Sequence, residues 1–208
     1  MSPPDHPTGL RAAKRRQTRL DLITAALRLV DERGADRVTV DEIAAAAGVS
    51  QRTFFNYFAT KEDALVGDPL EGCTDLRAHL SAAPADRPLL DALFDALVPA
   101  FQQIQDDREH WLLRMRVIGN NPQLLPLLIA AASTAEQELA EAVAARAGLP
   151  AGDPFPPLAA AVTNAAVRVA VIRWAASEDS GPLAEHVREA FGAIAAGLVP
   201  PPPVSRNA

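Results

Sequence analysis

The sequence predicts an all-α chain, and three observations carry that expectation. Apolar residues make up 49% of the 208 positions, with Ala the commonest and few β-branched runs, a composition that favours helix. Apolar residues also return at spacings of three and four along most of the chain, the period of a helix with one buried face. Finally, the stretch Val38 to Glu62, VTVDEIAAAAGVSQRTFFNYFATKE, carries start and stop signals for short helices in close succession. At this length a single core begins to give way to two.

In chain order, residues 1–15 form a Pro-rich basic lead-in, expected to be mobile. The first helix is expected near Gln17 to Arg33, where Leu20, Ile23, Leu27 and Val30 form a stripe and Gly34 follows. Thr39 stands three residues before Glu42, the spacing of a capping box. Ile43, Ala44 and Ala47 then supply an inward face, and Gly48 sits where a chain leaving a helix adopts a left-handed conformation. Ser50 is the next N-cap, opening Gln51 to Phe58, with Phe54 and Phe58 turned inward to complete a small three-helix core. Thr60 and Asp63 repeat the cap pattern for a further helix. A helix, a short turn containing Gly and a second helix define the DNA-binding helix-turn-helix, whose second helix enters the major groove. An ordinary helical hairpin would explain any one of these signals, but not their agreement along the whole run.

Beyond Gly67-Asp68-Pro69 the pattern loosens, and 70–88 reads as a weakly helical piece between prolines. From Leu89 a long amphipathic helix runs through Leu93, Phe94, Leu97, Phe101 and Ile104, with Pro99 as a kink point. Trp111, Leu112, Met115 and Ile118 mark another helix, stopped at Gly119-Asn120-Asn121-Pro122. A third runs from about Gln123 to Arg146, and a Gly/Pro-rich loop covers 148–157. Two helices remain, near Leu158–Ser177 and Leu183–Leu198. The first is apolar nearly all round, which implies burial on more than one side. In a chain of this length a partner subunit is the simplest cover, two helices from each subunit making a four-helix interface. Pro200 to Pro203 cannot continue a helix. The expected organisation is a basic arm at 1–15, a helix-turn-helix domain at 16–66, a ligand-binding and dimerisation bundle at 67–199 and a disordered tail at 200–208, with about nine helices.

A net charge of −6 is unevenly spread. Up to Glu62 ten Lys/Arg face eight Asp/Glu, and the remainder has ten against eighteen. Arg11, Lys14, Arg15, Arg16 and Arg19 have no acidic residue among them, and DNA affinity depends on such local phosphate contacts, not on net charge. Cys73 is the only cysteine, so no intrachain disulfide or Cys-based metal site can form and nothing requires an oxidising compartment; a redox-sensing role for it is a weak alternative. No uninterrupted apolar run reaches 18 residues, and the basic N-terminus has no apolar stretch of a secretory signal, so a cytoplasmic protein without membrane association is expected. His6, His79, His110 and His186 lack metal-ligand spacing, and no nucleophile elbow or nucleotide-binding Gly-rich loop is present. No catalytic residue, metal or cofactor is expected.

The residues from about Arg16 to Leu65 resemble the N-terminal domain of TetR-family bacterial transcriptional regulators. The matching features are Thr39-Val40-Asp41-Glu42-Ile43-Ala44, Ala47-Gly48-Val49-Ser50, Thr53, Tyr57-Phe58 and Lys61-Glu62, about a quarter of the chain. Phe55 departs from the pattern, standing where the family more often has Tyr. The resemblance implies a dimer on double-stranded operator DNA. Gln51 and Arg52 are the candidates for base reading, since Gln suits adenine and Arg suits guanine. Thr39, Thr53, Tyr57, Lys61 and Arg19 are candidates for phosphate positioning, with Arg15, Arg16, Ser50, Phe55 and Asn56 completing the candidate interface. A more diffuse similarity, in Trp111–Asn121, Leu124–Ala147 and the Val-Arg-x-Ala-x-x-Arg-Trp helix, links the chain to a branch binding acyl-CoA-like ligands. The candidate effector residues are Phe94, Phe101, Trp111, Arg114, Met115, Asn164 and Arg168, with Arg116 raising the same question. For each aromatic the alternative is core packing, and for each Arg an internal ion pair or surface exposure. The expected effector is a hydrophobic small molecule, its anionic group the weaker part of the expectation. The alternative function is a helical lipid or small-molecule carrier without specific operator binding.

Overall fold

The computed structural model describes residues 7–67, 76–176 and 181–199. Among them are ten α-helices and no strand: α1 (Pro7–Arg33), α2 (Val40–Ala46), α3 (Gln51–Phe55), α4 (Lys61–Val66), α5 (Leu76–Ala82), α6 (Leu89–Asp106), α7 (Arg108–Asn120), α8 (Leu125–Ala147), α9 (Phe155–Ala175) and α10 (Leu183–Ala195). Two 3-10 turns, Ala35–Arg37 and Pro122–Leu124, precede α2 and α8. The fold is all-α, with an N-terminal helix-turn-helix and a C-terminal helical bundle. Cys73, His6 and the tail Pro200–Pro203 lie outside the described residues.

The chain divides into two compact units, one comprising Met1–Pro69 with Asp107–Ala132, the other Leu70–Asp106 with Ser133–Ala208. In the first, Leu22, Ile23, Ala26, Leu27 and Val30 of α1 are buried together with Ile43, Ala44, Phe54, Phe58, Ala64 and Leu65. Leu20, expected in that stripe, is only half-buried. Val117, Ile118 and Leu124 complete the same core, so α7 and the turn after it belong with the helix-turn-helix, not with the bundle where a boundary at residue 67 would put them. An apolar helix face says that it will be buried, not against what.

Local signals account for the element ends. Thr39 caps α2 in a reciprocal box with Glu42, and Thr60 does the same for α4 with Asp63. Gly48, at φ 69°, lets α2 close in a Schellman arrangement, with Val49 N–H donating to Ala44 O at 2.9 Å and Gly48 N–H to Ala45 O at 3.1 Å. Other ends differ from the sequence expectation. α1 begins at Pro7, so the basic segment expected as a mobile arm is helical from there. α3 is five residues long, not eight, because the Tyr57 N–H turns back to Phe54 O at 2.9 Å; Phe58 N–H reaches the same carbonyl at 3.0 Å and stays in the core. α6 continues through Pro99, and α5 occupies part of the segment that read as weakly helical.

In the second unit α10 packs on α9 and α6, and α5 on α6. Its interior is built from Leu93, Phe94, Leu97, Phe101, Leu139, Val143, Trp174, Leu183, Val187 and Phe191, all buried. Arg146 ties this unit's irregular connection to α8, donating through both terminal nitrogens to the carbonyls of Leu80, Ala83, Pro84 and Arg87 at 2.7–3.1 Å. By length and composition α9 could also cross a membrane. Here Ala160, Thr163, Ala166, Ala170 and Trp174 form its buried face, while Leu158 (61% exposed), Val169 (47%) and Ile172 (56%) remain uncovered.

Candidate nucleic-acid interface

The caps that start α2 and α3 decide which side chains face outward. The Ser50 hydroxyl accepts the Thr53 N–H at 3.1 Å, and Phe54 is buried in ring contact with Phe58, centroids 5.5 Å apart. Around that pinned residue Gln51, Arg52, Phe55 and the C-cap Asn56 are exposed. Phe55, at 51% exposure, offers an apolar ring suited to a thymine methyl or to sugar atoms and carries no hydroxyl.

α1 adds the positive charge. Arg19 lies 5.0 Å over the Phe58 ring and Arg15 5.9 Å over the Tyr57 ring, contacts that bring two guanidinium groups to the end of α3. Arg16 is exposed on the same helix, as are Arg11 and Lys14. Tyr57 is half-buried beneath Arg15.

Two of the phosphate-positioning candidates are partly committed elsewhere. The Lys61 ammonium donates to the carbonyls of Ala35 at 2.7 Å and Val38 at 2.9 Å, so two of its three donors hold the approach to α2 and one is left for a phosphate. The Thr39 hydroxyl accepts the Glu42 N–H at 3.3 Å and donates its hydrogen to Glu42 Oε2 at 2.9 Å, leaving none for a phosphate while the box is closed. The Thr39 N–H also reaches Glu42 Oε2 at 2.9 Å. These bonds, the backbone one foremost, hold the Glu42 carboxyl below its ordinary value, and Arg33, 3.0 Å from Oε1, adds to the effect.

The effector candidates divide between the units. Phe94, Phe101, Asn164 and Arg168 stand in the bundle, and Trp111, Arg114 and Met115 in the helix-turn-helix unit. Phe94 and Phe101 are buried with centroids 6.0 Å apart, and Phe191 meets Phe94 edge-on at 6.2 Å. Met115 packs against the helix-turn-helix core. The Arg114 guanidinium lies against Gly67, whose φ of 76° and lack of a Cβ make room for it. Burial gives no reason to assign an anionic ligand to the other arginines: Arg168 is exposed, and the exposed Arg116 pairs with Asp31 at 3.2 Å. Asn164 donates to Glu136 at 3.3 Å, so this candidate already has a protein partner. Two residues escaped the sequence reading. Arg188 sits 4.5 Å over the Phe94 ring, and Asn121 is buried against the start of the helix-turn-helix; neither belongs to a motif that spacing could reveal.

Comparison with known proteins identifies the family. A family model described as bacterial regulatory proteins, tetR family, matches residues 22–66, and one described as MftR C-terminal domain matches residues 87–199. The HTH-type transcriptional regulator TcmR of Streptomyces glaucescens is 34% identical over 181 residues, covering 83% of this chain and 79% of that protein. A Mycobacterium tuberculosis protein assigned as the mycofactocin biosynthesis regulator MftR is 31% identical over 189 residues, covering 90% and 95%. The solved structure of Thermus thermophilus FadR, a repressor in complex with lauroyl-CoA, shares the fold at 22% identity and a TM-score of 0.55, covering 91% of this chain and all of that one. Exposed polar residues on a capped second helix, with cations from α1 beside it, define a helix-turn-helix DNA-binding regulator. The chain belongs to the TetR family of bacterial transcriptional regulators.

Proposed function

We propose that the protein is a homodimeric repressor, acting in the cytoplasm, that binds a pseudo-palindromic operator and is released by a lipophilic small molecule. The observation that carries the DNA half is the two-sided character of α3: Phe54 is locked in the core while Gln51, Arg52, Phe55 and Asn56 point outward. Gln51 and Arg52 read base edges. Arg15, Arg16 and Arg19 hold the backbone, with Thr53 and Tyr57 in supporting contacts. The uncovered apolar face of α9 supports dimerisation, since Leu158, Val169 and Ile172 form a patch that a second copy would cover. Two recognition helices then meet major grooves about 34–36 Å apart.

The effector enters the bundle. Phe94 and Phe101 favour an apolar body, and the lauroyl-CoA carried by Thermus thermophilus FadR is the precedent for an acyl chain. Arg188, exposed like Arg168 but stacked on Phe94, is the cation we assign to an anionic group. Release requires different effector affinities for the DNA-competent and DNA-incompetent arrangements. The test is fluorescence anisotropy of the full chain on its own upstream DNA and on random duplex, followed by titration with acyl-CoAs, free fatty acids and cationic dyes. Tighter binding to upstream DNA, lost on adding an acyl ligand, is the expected result. Equal binding to both duplexes would favour a ligand carrier, and release by the cationic dyes alone would overturn the anionic assignment.

A further inference from the structure

The junction between α1 and α2 is held by side chains from elsewhere in its unit. Gly34, at φ 83°, ends α1, and Ala35 opens the 3-10 turn that leads to the Thr39 cap. Ala35 is buried, and both its backbone polar groups are taken by side chains. Its carbonyl accepts from Lys61 at 2.7 Å, and its N–H donates to Asn121 Oδ1 at 2.9 Å. Lys61 begins α4, and Asn121 follows the last residue of α7. Asn121 is 6% exposed, and the other end of its amide donates to Val117 O at 2.7 Å. Two exposed pairs link the same stretches, Arg116 with Asp31 at 3.2 Å and Gln123 with Asp36 at 3.4 Å.

A buried N–H left without an acceptor is costly. The turn can escape that cost by swinging Ala35 toward water, and such a swing carries Thr39 with it. α2 starts at Thr39, and α3 follows α2 through a tight turn closed by Gly48, so the pair moves together. A shift of about an ångström in a positioned group is enough to spoil a geometry-dependent contact.

We propose that Asn121 is a positioning residue for operator recognition: by holding the Ala35 N–H from the end of α7 it sets the pose of α2 and α3 without touching DNA. The proposal rests on the DNA-binding reading above. It makes base reading more sensitive to Asn121 than phosphate contact is, because Arg11, Lys14 and Arg16 are carried by α1, before the junction.

The test uses full-length Asn121→Ala and Asn121→Asp, the latter keeping an acceptor for the Ala35 N–H. Each is measured against a duplex enriched from a random pool by the unmodified protein and against random duplex, at a temperature where thermal unfolding shows every variant folded. Hydrogen exchange of the Ala35 amide is followed alongside. Asn121→Ala is expected to weaken the enriched duplex about ten-fold and random duplex less than about two-fold, with the Ala35 amide exchanging faster while Leu22 to Val30 stay protected. Asn121→Asp is expected to retain Ala35 protection and most of the operator preference. Equal losses on both duplexes, or an unchanged operator preference once Ala35 exchanges freely, would overturn the proposal. If Asn121→Ala does not fold, an Asp variant that keeps Ala35 protected yet loses operator preference would overturn it as well. Failure of the unmodified protein to enrich any duplex would instead remove the DNA-binding reading itself.

Discussion

The α2–α4 segment and helix α9 are both rich in Ala, yet they use it in opposite ways. In α2–α4 each helix is one or two turns long and is fixed by its ends: Thr39, Ser50 and Thr60 cap the starts, and Gly48 closes the turn. Function there depends on backbone direction, which short-range signals encode. α9 is 21 residues long, has Pro at its start and one side-chain bond there, from the Phe155 N–H to Asp153 Oδ1 at 2.8 Å, and is held mainly by its faces. Its function depends on what covers it, and a face does not name its partner. Geometry set by ends is local; geometry set by faces is not.

The sharpest way to break this contrast is to charge the uncovered face of α9. Val169→Glu puts a carboxylate into the proposed dimer seam, where an unpaired charge costs several kcal/mol. Sedimentation should then show a monomer with operator binding lost altogether, whereas a mutant that remains dimeric would place the seam elsewhere. Next in size is the recognition helix. Arg52→Ala should cost about 1–3 kcal/mol of specific binding and flatten preference at one base position, with random duplex bound as before. Equal weakening on both duplexes would mean that Arg52 only meets phosphate.

These two regions also mark how far the sequence could be read. The cap residues, the Gly48 turn and the inward Phe54 and Phe58 were all legible, because each is a local rule with a fixed spacing. The start of α1 was not, since a run of Arg and Lys near a helix N-terminus opposes the helix dipole and reads as an unfolded arm. The place of α7 in the helix-turn-helix core, through Val117, Ile118 and Leu124, was hidden because the contacts join segments far apart in sequence. Lys61 shows the limit of a local reading. A Lys beside a recognition helix suggests phosphate, and only coordinates show its ammonium turned to Ala35 and Val38.

The structural and phosphate roles of Lys61 can be separated. Lys61→Met should lower stability by about 1–3 kcal/mol, through two carbonyls that lose a charged donor, and leave the salt dependence of random-duplex binding unchanged. A drop of about one in the salt slope would mark Lys61 as a phosphate contact. The smallest effect concerns the capping box. Because Glu42 is held below its ordinary value of 4.5, its contribution to stability is present above that value and disappears as pH falls through the lower folded value. Glu42→Gln should therefore flatten the acid limb of a thermal-stability profile below about pH 4.5, with little change at neutral pH in that pH dependence. An acid limb identical to that of the unmodified protein would assign the loss to other carboxylates.

If a dimer of this chain reads sequence through α3, selection of duplexes from a random pool by the unmodified full-length protein should reveal it. The expected outcome is enrichment of a pseudo-palindrome whose half-sites lie about one helical turn or a multiple apart, with guanine or adenine at the positions facing Arg52 and Gln51. A pool that stays random after repeated rounds, while binding still falls steeply with salt, would contradict it: the protein would then hold DNA by its basic helix alone.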